Sequence, residues 1–460
     1  MLAVEDVAVV LRAALRAGAS WAELFIEHRD SETVRLDGGQ VSEIRSDRDV
    51  GAAVRVVSGG LVGLAYTNVI SVAKLVEAAE AAAVVSGGAA VDARTVNLRR
   101  RAVIHPQVSR VPAASVDAAE KVALLRRADD AARAHDRAVR DVTAIHVDVA
   151  QQIMVATTTG LLVQDERVRT RLTCRVSASR DGRTDTGFDG PGIGGGFELY
   201  DDPPEGIAVR AAQRAMRALE GSEPPGGQMT VVLGPGGGGL LLHEACGHGL
   251  EADGLSRESS VYAPSAGRQI ASPLVTAYDD PSLPGAFGSY GCDDEGLATS
   301  PTLLIDRGHQ VGAMTDLVTA AAVHASASAN GRRASYADPP LPRMSNTYIA
   351  AGTDDPSAVL ADVRSGVYVS RLRGGDVNIS TGEFAFAAAE AWLIEGGRLT
   401  RPLSGVTLLG NGPAALSAID AVCGDLDFTQ AMCAKEDQWV PVSYGAPTLR
   451  ITGLTVAGSD

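Results

Sequence analysis

A chain of 460 residues is too long for one ordinary hydrophobic core, so two or three domains are expected. At 45% hydrophobic and 21% charged residues the composition is globular and excludes a disordered chain, while the 4% aromatic content leaves the interior to Ala, Val, Gly and aliphatic contacts. The formal charge of −15 argues against nucleic acid and anionic lipid as partners, because phosphate is gripped mainly by Lys and Arg, and the densest basic run, Arg99 to Arg101, suits a strand end or loop.

The first element is a helix over Val4 to Ala17, with Glu5 and Asp6 in its first turn and Gly18 placed to end it. A secretory signal would begin with positive charge, and no stretch reaches the roughly 20 apolar residues of a membrane span, so no membrane association is expected. The five cysteines, Cys174, Cys246, Cys292, Cys423 and Cys433, are widely spaced without a C-x-x-C pair, as thiols in a reducing compartment would be; the expected location is cytoplasmic. Short β-like runs follow at Ala22 to Glu27, Thr33 to Leu36, Val41 to Ser46, Gly51 to Val57 and Leu61 to Tyr66. Gly38-Gly39 and Gly59-Gly60 mark turns between them, and a second helix spans Ser71 to Val85. Helix, four-strand meander and helix make an α+β unit, residues 1–95, with an antiparallel sheet and flanking helices.

A middle α/β segment, 110–222, opens with Ser115 as N-cap of a helix reaching Arg137. Strands are expected over Asp141 to Ala156 and Leu161 to Ser179 about a Thr159-Gly160 turn, then an ordered glycine-rich loop over Asp185 to Gly196 and a helix over Glu205 to Leu219. Gly221-Ser222-Glu223-Pro224-Pro225-Gly226-Gly227 is the strongest linker signal, and beyond it residues 227–460 read as a mainly β domain carrying a metal-binding helix.

After a strand over Thr230 to Leu233 comes a run of glycines and then His243-Glu244-Ala245-Cys246-Gly247-His248. The Gly-Lys-Ser/Thr ending of a P-loop is absent, so the glycines are read as close backbone packing at a helix entry. His-Glu-x-x-x-His is one residue longer than the zincin signature. On a regular helix residues i and i+4 lie about 40° apart and can share an ion, whereas i and i+5 lie about 140° apart and cannot. A single π-turn repairs this, and such bulges recur at functional sites. The helix is therefore expected to bulge within Glu244 to His248, with Gly247 making the distortion cheap. His243 and His248 would then hold one divalent ion, most simply Zn²⁺, which acidifies bound water and polarises a scissile carbonyl, and Glu244 would act as the catalytic base.

The stretch Leu233 to Asp253 resembles the TldD family of metalloproteases, within the TldD/PmbA superfamily, whose hallmark is this lengthened motif. Further boxes carry the resemblance along nearly the whole chain: Gly51 to Val56, Gly63 to Asn68, Asp293 to Gly296, Arg343 to Thr347, Gly382 to Phe384, and Cys433 to Gln438 followed by Val440-Pro441-Val442. The resemblance implies Cys433 as third metal ligand, with Ala434 standing where the family usually has Gly; Glu251, Asp253, Cys246 and His309 are the competitors. It also implies hydrolysis of unfolded or short peptide segments in an enclosed cleft, in a homodimer or in a heterodimer with a TldE/PmbA-like sister chain that lacks the motif. The alternative is a non-catalytic peptide-binding or regulatory subunit of such a complex. Retention of both His, the Glu and the late Cys favours the enzyme.

Overall fold

Two glycine pairs shape the N-terminal sheet. In this computed structural model, which describes residues 2–16, 19–86, 95–107 and 109–458, Gly38 and Gly39 both take positive φ, 56° and 80°. That is the geometry of a tight hairpin turn whose twist matches its strands. It joins β1 (Trp21–Asp37) to β2 (Gln40–Ser58), and Gly59-Gly60 joins β2 to β3 (Leu61–Thr67) in the same way. The four short runs expected here are thus two long strands. Their polar middles continue the ladder, with Arg29 opposite Asp49, because backbone pairing does not depend on side-chain polarity.

Helices α1 (Val4–Arg16) and α2 (Val72–Ala82) bury an aliphatic face on this ladder; Gly18, expected to end α1, lies outside the described residues. After the short strand β4 (Arg99–Arg101) comes α3 (Ala118–His135), whose cap is Asp117 rather than Ser115. The Asp117 carboxylate accepts from the Glu120 N–H, while the Ser115 hydroxyl donates to the Pro112 carbonyl in a preceding turn. Strands β5 (Val139–Thr157) and β6 (Leu161–Arg180) follow, with β7 (Arg183–Asp189) and β8 (Gly192–Ile193) where a loop was expected. Gly187 hides that strand: a Cβ there would lie 2.0 Å from the Ala211 carbonyl, so β7 is glycine-bearing because α4 (Pro204–Glu220) lies hard against it.

The resulting eight-stranded sheet runs β3-β2-β1-β5-β6-β4, with β7 and β8 also on β6. The β1–β5 pairing, Glu23 opposite Thr157, joins strands from the first two segments into one sheet. Helices α1 to α4 cover one face, and the other face meets the C-terminal region.

That region begins with β9 (Gly227–Leu233) and the short helix α5 (Gly237–Leu242). In chain order follow β10 (Ala277–Asp279), β11 (Thr302–Asp306), β12 (His309–Gln310), β13 (Gly331–Arg332), β14 (Leu341–Pro342) and β15 (Asn346–Ile349). The last strands are β16 (Ser365–Val377), β17 (Glu383–Glu395), β18 (Arg398–Leu403), β19 (Val406–Asn411), β20 (Ile419–Val422), β21 (Asp427–Lys435), β22 (Gln438–Ala446) and β23 (Leu449–Gly458). They form a six-stranded sheet, β12-β11-β10-β15-β22-β21, a seven-stranded one, β16-β9-β23-β19-β17-β18 with β20 on β23, and the separate pair β13-β14. One aliphatic core lies between the six- and seven-stranded sheets and takes in Leu240, Leu241 and Leu242. The protein is α+β, and no helix among the described residues is long and apolar enough to cross a membrane.

Candidate metal centre

The glycines before α5 let it sit against the strands. Gly236 has φ 77° at the helix entry, and a Cβ on Gly239 would lie 2.7 Å from the Gly445 amide nitrogen. The expected backbone packing is what they provide. From this seat the helix runs into one π-turn, His243–Gly247, in which the His248 N–H donates to the His243 carbonyl five residues back. The expected bulge is present. Its origin differs from expectation, since Gly247 sits at φ −54°, ψ −55°, ordinary helical values. What glycine supplies there is room: a Cβ would lie 2.3 Å from the Met344 Sδ.

The bulge brings the His243 and His248 rings to 5.1 Å between centroids. Cys433 approaches from β21, its Sγ 3.3 Å from His243 Nε2 and 3.4 Å from His248 Nε2, and the three donor atoms all lie within 4.8 Å of one another. All three side chains are buried. Ala434 is exposed; successive residues of a strand point to opposite faces, so its methyl lies on the side away from the imidazoles. Glu244 sits beside the cluster with Oε2 3.8 Å from His248 Nε2, and at 26% side-chain exposure it is the open member of the motif.

The other candidates fall into place around this trio. Glu251 is a neighbour of a ligand candidate: its Oε2 accepts from His248 Nδ1 at 3.1 Å and from Lys435 Nζ at 2.9 Å. Asp253 holds the same Lys435 at 2.8 Å. Cys246 is buried on the far side of the bulge, where burial pushes its thiol up to about 12 despite a hydrogen bond with Tyr262. His309 is exposed in a hairpin and contacts the Arg307 carbonyl.

Charge follows the geometry. Burial would push the Cys433 thiol up, but the His243 and His248 imidazoles outweigh it and bring it down to about 4. Burial opposes charge on His248, yet Glu251 and Cys433 hold its affinity for a proton well above the ordinary value. Glu251 is drawn down to about 2, against its burial, by Lys435 and then His248. Two imidazoles and a thiolate are a soft nitrogen–sulfur donor set suited to Zn²⁺-like ions. His243 Nδ1 is buried without a hydrogen-bond partner, so no hydrogen bond competes with the approach of Nε2 to the other donors. The residues fit a metal ion.

Sequence reasoning missed Tyr444, whose ring lies 5.8 Å from that of His243. Burial lifts its phenol to about 12, with Arg371 opposing and Glu244 adding to the rise, so the ring stands in the field of the motif carboxylate. Strand alternation contains the signal: Cys433 pairs with Val440, and Tyr444 falls on the same face four residues on.

The chain matches PmbA/TldA metallopeptidase domain 1 over residues 22–84, the central domain over 111–219 and the C-terminal domain over 226–458. It is 36% identical over 451 residues to a protein of Haemophilus influenzae named metalloprotease TldD homolog, covering 96% of this chain and 93% of that one. It is 33% identical to a metalloprotease of Methanothermobacter thermautotrophicus, covering 93% of each. Among solved structures, a candidate modulator of DNA gyrase from Thermotoga maritima superposes with TM-score 0.81 at 21% identity over 98% of this chain and 99% of its own. TldE from Thermococcus kodakarensis gives 0.76 at 20% over 98% and 99%. Fold and relatives together define a metallopeptidase. The chain belongs to the PmbA/TldD family, and relatives named metalloprotease TldD homolog are among those it resembles over nearly its whole length.

Proposed function

We propose that this metalloprotease hydrolyses peptide bonds in unfolded or short peptide segments, using one zinc ion held by His243, His248 and Cys433 with Glu244 as general base. The observation that carries the reading is the convergence of three buried donor atoms within 4.8 Å on one bulged helix and one strand, with Glu244 open beside them. A zinc ion there supplies Lewis acidity towards water and the scissile carbonyl. His243 and His248 bind through Nε2, the atoms that face Cys433. Glu251 orients His248 through Nδ1, the outer hydrogen bond that commonly fixes a ligating ring. The Glu244 carboxylate takes a proton from the attacking water and returns it to the leaving amine.

An extended substrate is favoured by the position of β21. This strand ends the six-stranded sheet and carries Cys433, so a peptide added along its outer edge is delivered to the metal ligands. Main-chain pairing of that kind needs an unfolded segment and reads little of its sequence. Arg343, fully buried, donates to the Cys433 carbonyl at 2.6 Å and so keeps this part of the edge strand in place. The same reading puts the enzyme in the cytoplasm, as a homodimer or paired with a TldE/PmbA-like sister chain.

Metal content tests the reading directly. Elemental analysis is expected to find about one zinc per chain in the wild type and none in His248→Ala. Cys433→Ser should lose metal far more readily than Cys246→Ser. A chain without metal after metal-replete purification would move it to the non-catalytic role, for which the fold shared with TldE is the supporting observation.

A further inference from the structure

On the face of the eight-stranded sheet turned away from its helices, the run Arg167-Val168-Arg169-Thr170-Arg171 places three arginines side by side, since alternate residues of a strand share a face. Their partners across β5, Gln151, Val149 and Val147, carry no charge. Arg29 of β1 stands opposite Gln151, Arg332 ends β13, and Arg333 follows it. These six arginines line one cavity of about 110 Å³, between the sheet and the β21–β22 hairpin, and its one carboxylate is Asp294. A single buried water needs only about 10–15 Å³ of such space, so the cavity takes a group of several heavy atoms.

The acids near it are already engaged. Asp165 and Asp294 both bind Arg167, at 3.1 and 2.7 Å, and Arg333 binds Glu23. Among the described residues, Arg169 is buried and its hydrogen bonds go to the Phe287 and Ser289 carbonyls, while those of Arg332 go to the Met344 and Pro441 carbonyls and its guanidinium lies over the Tyr290 ring. Arg29 reaches the Ala334 carbonyl at 3.5 Å, and Arg171 makes no hydrogen bond or ion pair among the described residues. Arg333, at 4% exposure, leaves Nε and Nη1 without a partner. Ties to carbonyls across the interface do not account for Arg171, nor for the Nε–H and Nη1–H of Arg333, whose guanidinium lies over the Phe25 ring at 4.2 Å. Buried guanidinium groups without counter-charge are costly, and their planar forks match oxyanions. Burial, and after it Arg167 and Arg332 nearby, hold the proton affinity of Arg169 well below the ordinary arginine value.

We infer that this cavity is a binding site for a small oxyanion, phosphate or carboxylate, seated between the N-terminal sheet and the hairpin that carries Cys433. Met432 and Pro441 of the hairpin line it, and Cys433 lies on the opposite face of the same strand. The site is therefore separate from the metal centre although it backs onto it.

The test is thermal unfolding of the full chain titrated with inorganic phosphate, with glutarate and with chloride at matched ionic strength. Phosphate or glutarate should raise Tm saturably and chloride should not. Arg171→Gln and Arg29→Gln, neither of which has an ion-pair partner to lose, should fold normally and weaken the response by about tenfold or more each. A response to phosphate alone assigns a phosphoryl or inorganic anion; a response to glutarate alone assigns the carboxylate of an acidic peptide. The inference is overturned if neither anion shifts the wild type, or if the Arg171→Gln, Arg29→Gln double variant responds as the wild type does, which would place the anion at the metal centre or elsewhere.

Discussion

The acidic box and the metal centre are both buried polar clusters, and they differ in how fully their atoms are partnered. In the Asp293-Asp294-Glu295 box every carboxylate oxygen has a donor. Asp293 accepts from the Glu295, Leu297 and Gly331 amides, Asp294 from Arg167 and the Arg333 amide, and Glu295 from Arg55 and the Leu317 amide. At the metal centre, His243 Nδ1 and Glu251 Oε1 have no partner, and three lone-pair donors face one another. Both clusters are conspicuous in sequence, and an acidic box is more often a turn than a cation site. Saturation tells them apart. Acids whose oxygens are all taken by arginines and amides join two parts of a fold, whereas donors that converge on each other leave a place for a cation.

If that distinction is right, the two clusters should fail in different ways. The largest effect is expected from Glu244→Ala, which should keep the metal and lower peptide hydrolysis by about 10²–10⁴-fold, the range of a lost general base. Single-turnover assays alongside metal analysis would decide it, and hydrolysis at the wild-type rate would remove Glu244 from its role. Arg55→Met attacks the saturated cluster instead. It leaves Glu23 and Glu295, both fully buried, short of their shared cation. The expected loss is about 3–5 kcal/mol of unfolding free energy in denaturant titrations, with metal content of the folded fraction unchanged. Loss of metal without loss of stability would erase the division between the clusters.

Much of the metal centre was legible in sequence because its signal is local. The spacing of His243 and His248 demands a π-turn if they are to share an ion, and the turn is there. Cys433 lies 190 residues from His243, so no spacing argument reaches it, and only resemblance proposed it. Glu251 was named only as a competing ligand, and its role as an outer partner stayed hidden because its contact with Lys435 depends on how the hairpin folds over the bulge. In the N-terminal sheet the turns were readable from glycine pairs, but strand length was not. Polar stretches such as His28 to Ser31 interrupt the hydrophobic pattern without interrupting the ladder. The arginine alternation of β6 was equally visible, yet its meaning depends on which surface covers that face.

Glu251→Gln sharpens the comparison within the metal centre. It keeps the shape but weakens the hold on His248 and Lys435, both within 3.1 Å of Oε2. Changes to such outer partners commonly cost about 10–100-fold in metal affinity, measurable by competition with a chromophoric chelator. Unchanged affinity would mean that the bulge alone fixes the ring.

The smallest effect is expected at Gly247, and it separates two explanations of the bulge. If glycine were needed for conformational freedom, Gly247→Ala would straighten the helix and take His248 off the metal. The observed backbone is ordinary helix, φ −54°, ψ −55°, which alanine adopts with ease. The only obstacle is the Met344 Sδ, 2.3 Å from the new methyl. Methionine is the side chain best able to move aside, so the penalty should be mild overpacking of about 1 kcal/mol. Zinc content should stay at one per chain while the midpoint of unfolding falls slightly. Loss of zinc in a variant that is otherwise folded would return the bulge to glycine's freedom and leave the packing against Met344 incidental.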